Sequence, residues 1–120
     1  MVHRFIFDGE PIPCVRTTRK MLWTPAARRY GEYKKSFADA FKKAMPDFQP
    51  LEKTVSIEMV FYRSNQRRVD IDNLIKACLD ALQDAGAMKD DTQVHQITAY
   101  KRYDKQKPCV AVSFWEESRV

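Results

Sequence analysis

Residues 51–86 read LEKTVSIEMVFYRSNQRRVDIDNLIKACLDALQDAG, and the apolar period changes halfway along them. From Leu51 to Tyr62, Val55, Ile57, Met59 and Phe61 alternate with Ser56, Glu58 and Val60, the two-residue period of a half-buried strand. A basic, polar loop follows from Arg63 to Val69. Beyond it Ile71, Leu74, Ile75, Cys78, Leu79 and Leu82 recur at three- and four-residue intervals, which predicts a helix with one apolar face. Gly86 is placed to cap that helix in the left-handed region. A strand feeding a helix through a charged loop fixes the middle of the fold.

The flanks are read against it. Val2 to Phe7 predicts a first strand, closed by the turn dipeptide Asp8-Gly9. Glu10 to Arg19 holds Pro11 and Pro13 and reads as an irregular loop, with a short extended piece at Lys20 to Trp23. Thr24-Pro25 is a helix start, an N-cap followed by proline in the first turn. From there Ala26, Tyr30, Tyr33, Phe37, Ala40, Phe41 and Ala44 trace a long amphipathic helix, which Met45-Pro46 closes. Gly31 weakens it by about 1 kcal/mol without breaking it. Downstream, Val94, Ile97, Ala99 and Tyr103 mark a third strand, Asp104 to Pro108 a turn, and Cys109 to Trp115 a fourth strand, with a frayed tail after Glu116.

The expected fold is therefore α+β, a small mixed four-stranded sheet flanked by two helices in the order β-α-β-α-β-β. The last two strands, joined by a short turn, should be antiparallel. At 120 residues the chain has room for one domain, spanning 1–120. No apolar run is long enough to suggest a membrane span, and the start lacks the pattern of a signal peptide. Cys14, Cys78 and Cys109 are odd in number and unpaired in spacing, which argues against a disulfide framework or a zinc site. A cytoplasmic protein with reduced thiols is the simplest reading.

The net charge of +5 favours an anionic partner, and its distribution sharpens the point. Between Arg16 and Lys43 lie nine cations, Arg16, Arg19, Arg28 and Lys35 among them, against only Glu32 and Asp39. Acidic residues gather elsewhere, at Asp70, Asp72, Asp80, Asp84, Asp90 and Asp91. A basic part that holds phosphates, set against an acidic part that holds a cation, is the division a metal-dependent nuclease requires.

Asp70 and Asp72 lie two apart at the entrance of the second helix. If Asp70 is still extended, both carboxylates can converge on one cation near the positive end of the helix dipole. Asp91 can supply a third oxygen only if the fold brings it back. Three aspartates without paired His or Cys suit Mg²⁺, with Mn²⁺ as a substitute, and argue against zinc. Structural roles remain open at this point: either of the first two can cap the helix, Asp90-Asp91 can form a solvated turn, and Lys76 can pair with Asp80. An EF-hand is excluded, because Ile75 stands where its loop needs glycine.

The stretch Arg68-Val69-Asp70-Ile71-Asp72-Asn73-Leu74 with Lys76, then Leu79-Asp80-Ala81-Leu82, then Asp90-Asp91-Thr92-Gln93-Val94, resembles the RusA family of Holliday-junction resolvases in identity and spacing. The likeness runs from about Arg63 to Trp115, while the start around Pro11-Ile12-Pro13 departs from the family pattern. It implies a homodimer that binds the four-way DNA junction and makes paired, Mg²⁺-dependent incisions in recombination and repair. It also implies catalytic roles for Asp70, Asp72 and Asp91, with Lys76 as their basic partner. Arg67, Arg68 and Asn73 are expected to position the DNA backbone, and Arg16, Arg19, Arg28 and Lys35 to bind the junction arms. The alternatives are a non-catalytic DNA-binding or replication-accessory module, and a branched-DNA nuclease of other preference.

Overall fold

Thr24 opens the first helix, α1 (Pro25–Ala44): its hydroxyl accepts the Ala27 N–H at 3.2 Å, and Pro25 needs no partner for the N–H it lacks. Met45, ahead of Pro46, ends it by donating its N–H to the Phe41 carbonyl, and Lys42 and Lys43 complement the dipole in the last turn. Gly31 stays helical. The computed structural model describes residues 1–15 and 23–117, so Arg16, Arg19 and most of the extended piece expected at Lys20 to Trp23 lie outside the described residues.

The remaining elements are β1 (His3–Asp8), β2 (Thr54–Arg63), α2 (Ile71–Ala85), a one-turn 3₁₀ helix (Asp91–Gln93), β3 (Val94–Tyr103) and β4 (Cys109–Glu117). This is the predicted order, and the architecture is the predicted α+β fold. Leu51 is not part of the strand; it only bridges Met88. The two N–H groups before Thr54 point instead at the Glu116 carboxylate, Glu52 at 3.1 Å and Lys53 at 2.9 Å. Gly86 takes the expected left-handed cap at φ 84°, and its N–H reaches the Gln83 and Leu82 carbonyls.

The strands lie in the order β1-β4-β2-β3. β3 is parallel to β2, the neighbour that a helical crossover allows, and β4 is antiparallel to both β2 and β1. The last two strands do run in opposite directions, but β2 separates them. Burial explains the placement. In β4, Val110, Val112 and Phe114 are buried and demand a central position, whereas every residue of β3 keeps solvent contact and four of its last five are Tyr, Lys or Arg, a composition suited to an edge.

Val55, Ile57, Met59 and Phe61 of β2 join Phe37 and Phe41 of α1 and Leu74, Cys78 and Leu82 of α2 in one core, so both helices cover the same face of the sheet. Aromatic edge-to-face pairs fill the β1 side, with Phe5 centred 5.2 Å from Phe37 and 5.3 Å from Phe41. No helix among the described residues is long and apolar enough to cross a membrane.

The path β2-α2-β3 gives the sheet two functionally different ends. Chain leaving β2 enters α2 at one end, and chain leaving α2 enters β3 at the other. This polarity decides where the acidic residues stand.

Candidate active site and nucleic-acid interface

At the first end, Asp70 is the N-cap residue of α2 with extended backbone, φ −77° and ψ 131°. Its main-chain carbonyl accepts the Asn73 and Leu74 N–H groups, yet its carboxylate makes no capping bond. Asp72 sits in the first turn, where one oxygen accepts the Asn73 N–H at 3.0 Å. Both aspartates are exposed, and neither has an ion-pair partner among the described residues. The backbone condition for two converging carboxylates, one extended and one at the helix entrance, is therefore met. Lys76, one turn on, is exposed and also without a carboxylate partner among the described residues, so the pairing with Asp80 is not formed.

Basic clefts flank the loop that leads into this helix. One, of about 400 Å³, lies between residues 65–68 and the end of β3, and holds Arg63, Arg67, Arg68, Lys101 and Arg102. The other, of about 320 Å³, lies between the same loop and Pro11–Pro13, with Arg29 on its wall. The loop is braced from both sides. Lys101 Nζ donates to the Val69 carbonyl at 2.8 Å, and the Glu10 carboxylate accepts from the N–H and hydroxyl of Ser64. Arg63 donates to the Pro11 carbonyl and stands 3.9 Å from Glu10, so it serves the brace more than the cleft.

Asn73 accepts the Cys14 N–H on its carbonyl, which ties the proline-containing segment to the start of α2. Of the cations expected to bind DNA arms, Arg28 and Lys35 are exposed on α1 and line neither cleft. Arg29, Lys101 and Arg102 were not singled out by sequence. The signal was there for the last two: a helical crossover makes β3 parallel to β2, which sets Lys101 and Arg102 beside Phe61 and Tyr62, next to the basic loop.

Asp91 is at the other end. It follows Asp90, whose carboxylate accepts the Thr92 N–H at 2.9 Å while Gln93 accepts the Asp90 N–H, a complete capping box. Gln93 also donates to the Leu51 and Lys53 carbonyls, anchoring this turn beside the start of β2. The Thr92 amide holds the Asp90 carboxyl below its ordinary range; a hydrogen bond with Asp90 pushes Asp91 above it, and the charge of Asp80 adds to the rise. Asp80 in turn accepts the Tyr30 hydroxyl at 2.7 Å, linking α2 to α1.

The fifteen residues of α2 at 1.5 Å each put about 22 Å between its two ends. Asp70 and Asp72 are therefore together in one chain, and Asp91 is far from them. Accordingly, no three His, Cys, Asp or Glu side chains among the described residues are grouped closely enough to hold a metal ion. The three cysteines are free, and burial pushes the Cys78 thiol up to about 12, which leaves it inert as a nucleophile.

Two exposed carboxylates without ion-pair partners among the described residues stand at a helix start, and the loop leading into it lines clefts of arginine and lysine, a combination suited to acting on phosphodiesters. The family model described as Endodeoxyribonuclease RusA matches residues 8–114, and the chain belongs to that family. Among curated proteins it is similar to the Crossover junction endodeoxyribonuclease RusA of Aquifex aeolicus (strain VF5), 29% identical over 58 residues. That alignment covers 48% of this chain and 46% of the relative, so the match spans about half of either protein.

Proposed function

We propose that this protein is a metal-dependent endodeoxyribonuclease that resolves four-way DNA junctions as a homodimer. The observation that carries the reading is the Asp70 carboxylate, which occupies a cap position without capping and is exposed at the end of a loop whose Arg67 and Arg68 line the neighbouring cleft. Family membership and the name of the Aquifex relative support it.

The donor set fits Mg²⁺ or Mn²⁺, since Asp70, Asp72 and Asp91 offer carboxylate oxygens and no thiolate or imidazole stands with them. Such an ion, when bound, supplies positive charge at the scissile phosphate and a water acidic enough to yield a nucleophile near neutral pH. The chain's own groups do the rest. Asp70 and Asp72 hold their oxygens at the positive end of α2, where a phosphate is also favoured. Lys76 stabilises the charge that builds on the phosphate oxygens, and Arg67 and Arg68 fix the backbone in line. Asp91 comes from the second copy. A two-fold dimer that sets the far end of one α2 against the near end of the other completes two identical sites, matching the two-fold symmetry of the junction.

The distance of Asp91 from the other aspartates within one chain favours a second reading, a basic DNA-binding module without catalysis. One assay separates the two. Purified protein is incubated with synthetic four-way, three-way and linear DNA, in Mg²⁺ or in EDTA. Symmetric nicks in the four-way substrate, only with Mg²⁺, are expected; Asp72→Asn should bind that DNA nearly as well and cut it at least 100-fold more slowly. Metal-independent binding with no product on any branched DNA would establish the module instead.

A further inference from the structure

We propose that the cleft between residues 65–68 and the end of β3 takes a single unstacked nucleotide of the branch point, with its phosphate on Arg67 and Arg68 and its base on the ring of Tyr103. The inference rests on the reading of the protein as a DNA nuclease and goes beyond it, from backbone binding to a base.

Size is the first argument. At about 400 Å³ the cleft is too small for a duplex and of the right order for one nucleotide drawn out of the stack. Charge is the second. Lys101 is engaged with the Val69 carbonyl and Arg63 with Pro11, whereas the guanidiniums of Arg67 and Arg68 have no ion-pair or hydrogen-bond partner among the described residues, Arg67 donating only its backbone N–H to Asn65 Oδ1. These two guanidiniums are free to take a phosphate.

Tyr103 is the third. It is the last residue of β3 and 52% exposed, an aromatic ring on the cleft wall with no aromatic or cation–π partner among the described residues. Tyr100, three residues earlier, does have such a partner, because Arg102 lies 4.8 Å above its ring. A free ring beside cations is the platform on which unpaired bases stack, whatever their sequence. Gln66, exposed on the opposite wall, has an amide without a hydrogen-bond partner among the described residues, able to meet a base edge.

The location also fits. Lys101 ties the cleft wall to Val69, the residue before Asp70, so a nucleotide held there lies next to the carboxylates. An intact duplex offers no such nucleotide without unstacking, and a branch point offers it at lower cost.

The test is equilibrium binding in EDTA to four-way junctions whose branch-point nucleotides are either intact or replaced by abasic sugars, which keep the phosphate charge. Wild-type protein should bind the abasic junction roughly tenfold more weakly. Tyr103→Phe should keep that difference, and Tyr103→Ala should bind both junctions at the weaker level. Arg67→Ala should weaken binding to both by the same factor. Equal wild-type affinity for the two junctions, or a Tyr103→Ala variant that still distinguishes them, would overturn the proposal while leaving the nuclease reading intact. Failure to bind any DNA would overturn that reading together with this one.

Discussion

Adjacent aspartates illustrate how neighbouring residues of one type come to different work. Asp90 accepts the Thr92 N–H in its capping box, while the exposed Asp91 carboxyl has no capping role and a hydrogen bond with Asp90 raises its pKa. The division predicts different failures. Asp90→Ala should lower the melting temperature, because the turn before β3 loses its cap. Asp91→Asn should leave melting unchanged and abolish Mg²⁺-dependent cleavage, as read by calorimetry and a junction-cutting assay on the same preparations. A melting shift in Asp91→Asn as large as that of Asp90→Ala would return both residues to structural roles. At the first end the comparison is between Asp70 and Thr24, both N-caps: the Thr24 side chain accepts a backbone N–H of its helix and the Asp70 side chain does not. Sequence spacing cannot tell these apart, since a capping aspartate and a metal-binding one have the same identity and neighbours. Side-chain direction separates them.

The elements themselves were largely legible because local patterns dictated them. Thr24-Pro25 starts α1, Pro46 stops it, alternation makes β2, and Gly86 ends α2, each through a preference that acts within a few residues. Gly86→Ala therefore has a defined cost. No atom obstructs a Cβ at this position, so only the left-handed backbone resists it, and the loss should be about 1–2 kcal/mol in a denaturant titration. What escaped was the partnering of strands, a long-range choice. The short turn between β3 and β4 predicts strands of opposite direction, as they are, but says nothing of β2 between them: the buried run Val110, Val112, Phe114 places β4 in the centre and leaves polar β3 outside. The far end of β4 is fixed by another long-range contact, the Glu116 carboxylate on the Glu52 and Lys53 amides. These bonds hold its pKa below 4.5. A depressed folded pKa means stability that is present above the unfolded value and lost as pH falls through the folded one. Melting measured from pH 7 to 3 should accordingly show the wild type above Glu116→Gln near neutrality, with the gap closing once the pH drops below 4.5. A gap constant across that range would refute the assignment.

On the scale of the whole molecule, the sheet's polarity says which assembly the proposed function requires. Asp70 and Asp72 sit where β3 ends, Asp91 where it begins, and β3 is one of the sheet's two edges, β1 being the other, with Ile97 and Tyr100 exposed along it. Two copies that pair these edges antiparallel about a two-fold axis would bring the start of each β3 to the end of the other, and with it Asp91 to the partner's Asp70 and Asp72. Such shared sites have a signature that no single-chain site can produce. Asp72→Asn and Asp91→Asn homodimers should each be inactive, since both of their sites carry a defect. In a mixed dimer, one site collects both substitutions and the other collects none. Co-refolding or co-expressing the two variants should therefore restore cleavage to a substantial fraction of wild type, limited by the share of mixed dimers. The products should be single nicks in place of paired incisions, because only one strand meets a complete site. A gel resolving nicked from fully resolved junctions reads this directly. If mixing restores nothing while crosslinking shows that mixed dimers have formed, the aspartates do not act across the two chains, and the site must be completed by some other route.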